Sequence, residues 1–190
     1  MWDFRRFRHS DALMTGAVLA LLFLALYARA QALSTRHGFP IHDERAYLRL
    51  ARGVQERGGV PAFLREHAAT SYREDNQHPL LVALLAPAMA GTAADFAGGK
   101  LVALACALFF AAATGLAALK GRSGGAALAA AGWAALSPGA AVYAQTIAPD
   151  LLFAGFFSLA VASAAAAGKD RRRWFVFGLT AGMAWLAKGN

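Results

Sequence analysis

The chain has 190 residues, of which 58% are hydrophobic and 16% charged, against about 45–50% and about 25% in ordinary soluble domains. That balance excludes a disordered tail, a collagen-like chain and a nucleic-acid-binding arm. The net charge of +8 falls in short Lys/Arg clusters beside apolar runs, as in polytopic membrane proteins.

In chain order, Arg5, Arg6 and Arg8 precede the first uncharged run, residues 12–28. A bilayer-crossing helix needs about 20 largely apolar residues, and this run reads as an uncleaved anchor over 12–30. A signal peptide cleaved near Ala28-Arg29-Ala30 is the rival reading. Further uncharged runs cover 79–94, 101–119, 124–149, 151–168 and 174–187. Lys120 and Arg122 follow one of them, and Lys169, Arg171, Arg172 and Arg173 follow another. Short loops rich in Lys and Arg stay in the cytoplasm. All these clusters fall inside only if residues 79–94 do not cross, and Pro79 and Pro87 suit a short interfacial helix there. The expected spans are 12–30, 99–119, 125–141, 151–168 and 174–188, with the N-terminus cytoplasmic. Cys106 lies within a span, and as a lone cysteine it excludes an intrachain disulfide framework.

The expected external loop, 34–98, holds seven Arg and seven Asp or Glu, a neutral balance that suits a folded element. His37, His42, His67 and His78 also lie in it. After Asp43 and Glu44, periodicity sets Tyr47, Leu50, Ala51 and Val54 on one helical face and Arg45, Arg49, Arg52 and Glu56 on the other. Gly58, Gly59 and Pro61 end that helix, which should lie on the membrane surface with Tyr47 toward lipid. Asp43 has two readings, a helix N-cap and a catalytic carboxylate. Asp150 has the same two, at the outer mouth of its span. Lys100 and Lys188 sit at outer helix ends, either reaching for water or holding a phosphate. His42, Asp43, Glu44 and His78 could also ligate a divalent metal, although no diagnostic metal spacing occurs.

These residues fall into a pattern. His42-Asp43-Glu44-Arg45-x-Tyr47 resembles the acidic motif of the GT-C glycosyltransferases, and Gln77-His78-Pro79-Leu80 resembles their HPPL element, with leucine at the second proline. Ser137-Pro138 followed by Ala148-Pro149-Asp150-Leu151-Leu152 resembles their second-loop acid, and the stretch from Gly182 to Gly189 is similar to a glycine-rich span ending in Lys-Gly. The nearest group is the bacterial branch related to protein O-mannosyltransferases and lipid A aminoarabinose transferases. The resemblance implies an all-α polytopic fold with amphipathic helices in the first external loop. It further implies a bacterial inner-membrane enzyme that moves sugar, with inversion, from a polyprenyl-phosphate carrier to a protein, lipid or glycan acceptor. Asp43 would be the base. Glu44, Asp150, Tyr47 and His78 would shape the site, with Lys100 and Lys188 on the phosphate. No bound metal, other cofactor or nucleic acid is called for. About five spans are fewer than the resemblance implies, so an N-terminal portion of a longer enzyme, inactive alone, is expected. The alternative is a non-catalytic scaffold or transporter subunit, although transporters place ionisable groups at mid-membrane.

Overall fold

The computed structural model describes residues 40, 42–69, 78–92, 94–118 and 124–188. The expected span 12–30 and the residues His37, Gln77, Lys120, Arg122 and Gly189 lie outside them. Among the described residues all regular structure is helical. In chain order the helices are α1 Asp43–Glu56, α2 Gly59–Ala68, α3 Pro79–Leu85, α4 Asp95–Ala118, α5 Gly124–Leu136, α6 Pro138–Tyr143, α7 Asp150–Ala167 and α8 Arg171–Lys188, with a 3-10 turn Ala86–Ala88 after α3.

Helix α4 has 24 residues and α7 has 18, so at about 1.5 Å per residue they are long enough to cross a hydrocarbon core. They are the two described helices that are both long and apolar enough to do so. Only 39% of the most apolar stretch of α4, and 28% of that of α7, is buried within the chain. A soluble core helix would be mostly covered. Large apolar side chains instead point outward, among them Trp133, Phe157, Val161, Phe175 and Trp185, which is the surface that lipid tails would solvate.

The expected span 125–141 is corrected: the helix breaks at Ser137. Ser137 is extended, and Pro138 opens α6 while the Ser137 Oγ accepts from the Ala140 N–H at 3.2 Å. A serine N-cap followed by proline restarts a helix better than it continues one. The last helix begins at Arg171, three residues ahead of the expected 174. Between positions 79 and 94 the described residues form only the seven-residue α3 and the 3-10 turn, too short to cross a bilayer.

Helix direction follows from the contacts. A Cβ on Gly99 would meet Ile147, just before α7, and one on Gly155 would meet Phe109, so α4 and α7 run parallel. Gly115 lies against Ala127 and Ala131, while Leu104 and Ala111 pack with Ala135, so α5 runs antiparallel to α4. Helix α8 returns along α7, with Lys188 beside Asp150 at one end and Arg173 beside Ala166 at the other. The starts of α4 and α7, all of α6 and the end of α8 therefore share one end of the bundle.

Helices α1 to α3 cap that end. Tyr47, Leu50, Ala51 and Val54 are buried on the face that periodicity predicts, together with Leu48. They pack with Leu81, Val82 and Leu85 of α3, Ile147, Leu151 and Leu152 near the start of α7, and Ala187 of α8. The Tyr47 expectation is corrected here: it faces protein, because α3 and the ends of α7 and α8 occupy the side where lipid was expected.

Candidate functional site

Asp43 and Asp150 each occupy the first helical position rather than the N-cap. His42 precedes α1 with a positive φ of 42°, and Pro149 precedes α7; neither makes a side-chain cap bond. The capping reading of both acids is thereby corrected. As first-turn carboxylates they still gain from the positive helix N-terminus, and Asp43 is exposed.

Around them the cap gathers a polar cluster. Lys188 Nζ, at the end of α8, lies 2.5 Å from Asp150 Oδ1. Beside this pair is His78, immediately ahead of α3, whose imidazole pKa is lowered from 6.5 by burial first and then by the Lys188 charge, with Asp150 opposing. Tyr47 joins the same group through the backbone of His78. Burial pushes its phenol up to about 12, a hydrogen bond with the His78 backbone pulls it down, and the charges of Asp43 and Asp150 raise it further. Four separate chain segments thus bring Asp43, Tyr47, His78, Asp150 and Lys188 together. The cluster holds a neutral imidazole, a protonated phenol, a paired carboxylate and an exposed one.

Glu44 and Lys100 form a clamp of their own. Glu44 is 3% exposed, and its Oε1 accepts from Lys100 Nζ at 2.5 Å and from the Ile147 N–H at 3.0 Å. Lys100 also donates to the Gln145 carbonyl and lies over the Phe96 ring. These contacts tie α1, α4 and the segment leading to α7 into one frame. Gly99 allows the close approach, since a Cβ there would stand 2.5 Å from Ile147 Cδ1 and 2.9 Å from Leu48 Cδ2. A buried carboxylate so engaged suits positioning better than proton transfer.

A second clamp, absent from the sequence reading, joins Arg52 to Asp95. The buried Asp95 carboxylate accepts from Arg52 Nη2 at 2.7 Å and Nε at 3.0 Å, and from the Ala90 N–H at 2.7 Å. The signal available beforehand was isolation: Asp95 is the one acid between Asp75 and Asp150. Among the described residues no group of three His, Cys, Asp or Glu side chains is gathered to hold a metal ion.

Chemically, the cluster offers an exposed carboxylate that can take a proton, an uncharged imidazole and phenol that can hydrogen-bond a polar ligand, and a cation that can meet an anion. No protein-family model, curated protein or solved structure matches the chain.

Proposed function

We propose that the chain is part of a polytopic membrane glycosyltransferase of the GT-C type that uses a polyprenyl-phosphate sugar as donor at the extracytoplasmic face. The observation that carries the reading is the gathering of Asp43, Tyr47, His78, Asp150 and Lys188 at the end where α4 and α7 begin and α8 ends. With that end outside, Lys169, Arg171, Arg172 and Arg173 fall on the cytoplasmic side, as positive-inside charge requires. The donor's phosphate then lies at headgroup depth, level with the cluster. Charged groups sit at helix ends, and residues 101–118 and 151–167 contain none, a distribution that favours interfacial chemistry over translocation.

In this reading Asp43 takes the proton from an acceptor hydroxyl or amine within hydrogen-bond reach. The acceptor atom attacks the anomeric carbon from the face opposite the phosphate and forms the new bond. The bond from the anomeric carbon to the phosphate oxygen breaks, and polyprenyl phosphate leaves with the electron pair. Lys188 is placed to meet the developing negative charge, while Asp150, His78 and Tyr47 shape the pocket. Glu44 and Lys100 hold the frame.

Asp43→Asn in the full-length protein tests this directly. The expected result is lost transfer with normal insertion and folding, because asparagine keeps the shape and cannot act as the base. Retained transfer with normal expression removes Asp43 from that role.

A further inference from the structure

The opposite end of the bundle carries a surface that the glycosyl-transfer reading does not use. Lys169 and Asp170 lie in the connection between α7 and α8, and Arg171, Arg172 and Arg173 open α8. Asp170 caps α8, its Oδ1 accepting from the Arg172 N–H at 3.0 Å, and it pairs with Arg173 Nε at 3.2 Å. Arg173 also reaches back to the Ala166 carbonyl at 2.6 Å and so closes the end of α7. Asp170 and Arg173 therefore satisfy each other. Lys169, Arg171 and Arg172 are left exposed and, among the described residues, outside any ion pair. Among the described residues, three cations without an ion-pair partner therefore stand around one turn.

Directly beneath them the chemistry changes. The Trp174 indole N–H is tied to the Gly168 carbonyl at 3.1 Å, and its ring meets Phe177 edge-on at 5.7 Å. The indole is half-exposed and fixed at the height of the turn. The next outward side chains, Phe175, Val176 and Leu179, are exposed and wholly apolar. Cations, then a fixed indole, then bare apolar surface within about two helical turns is the layering of headgroup, interface and acyl chain. A soluble partner would have to cover Phe175, which is 72% exposed, and a polyanion alone would leave it bare.

The geometry points to a binding surface for anionic phospholipid headgroups at this turn, with Lys169, Arg171 and Arg172 meeting the phosphate and Trp174 seating the glycerol level. Such a lipid would fix the depth and tilt of the α7–α8 pair, and with them the height of Asp150 and Lys188 at the other end.

The test is native mass spectrometry of the full chain in neutral detergent, titrated separately with phosphatidylglycerol and phosphatidylcholine. Phosphatidylglycerol adducts should form at about tenfold lower lipid concentration or better, and the preference should shrink as salt rises. The K169Q/R171Q/R172Q triple variant should lose the preference, whereas R49Q/R65Q at the far end should keep it. R171K/R172K, which preserves charge, should bind as the parent does; it and the salt series decide the matter if the triple variant fails to insert. Equal binding of the two lipids, a salt-independent preference, or a triple variant that retains it would overturn the proposal.

Discussion

The Glu44 carboxylate and the Lys100 ammonium, 56 positions apart in sequence, meet at 2.5 Å beneath the cap of α1 to α3. The same oxygen holds the Ile147 N–H three residues ahead of Asp150. One buried anion therefore sets the position of both candidate acids, because Asp43 is its neighbour on α1. Removing one partner of a buried pair leaves the other charge without compensation. Glu44→Ala should cost about 2–4 kcal/mol of stability. Glu44→Gln, which keeps an acceptor for Ile147, should cost less. Thermal unfolding in detergent gives both numbers, and equal losses would contradict the paired-charge account.

The Gly99 contact makes a steric prediction. Alanine there must displace Ile147 or Leu48, and overpacking of that kind costs about 1–3 kcal/mol. Gly99→Ala should lower the melting temperature, while Gly178→Ala, with open space around its site, should not. Equal melting temperatures for the two alanine variants, which share the same gain in helix propensity, would mean that Ile147 and Leu48 do not close over Gly99 as described.

His78 reports on the cluster without any need for activity. Its imidazole is held below the ordinary 6.5, by burial first and by Lys188 second, with Asp150 acting the other way. Lys188→Met should raise the His78 pKa and Asp150→Asn should lower it, as read from the imidazole proton shifts in an NMR titration. Unchanged values in both variants would place His78 away from the pair.

The same shift fixes a pH dependence. The unfolded chain binds the His78 proton with the ordinary pKa of 6.5, and the folded chain binds it only at lower pH. The stability involved is therefore present in full above 6.5 and declines as pH falls below it toward the folded-state value. His78→Gln should remove that part of the acid sensitivity. Identical pH profiles for parent and variant would contradict it.

What was legible in the sequence was local and periodic. The spacing of Tyr47, Leu50, Ala51 and Val54 marked the buried face of α1, because a 3.6-residue period is written in the chain itself. The prolines at 79 and 87 marked a segment too broken for a long helix. What faced that face was not legible: Tyr47 looked bound for lipid because nothing in one sequence announces that α3 would cover it. The Glu44–Lys100 and Arg52–Asp95 pairs were hidden for the same reason, each joining distant segments. Asp43 and Asp150 looked like caps since carboxylates favour both the cap and the first turn, and the choice rests on one residue's backbone angles. Ser137-Pro138 carried a start signal that the surrounding apolar run masked.

Paired cysteine labelling in a Cys106→Ala background decides whether Asp43, His78 and Asp150 share the extracytoplasmic face, opposite the segment from Lys169 to Arg173. Ala90→Cys beside the cap and Arg171→Cys at the far turn, both at exposed positions, would be treated with a membrane-impermeant maleimide in intact cells whose outer barrier has been opened. With the proposed topology, Ala90→Cys is labelled at once and Arg171→Cys only after the inner membrane is permeabilised. Labelling of both from one side, or of Ala90→Cys only from the cytoplasm, would contradict it.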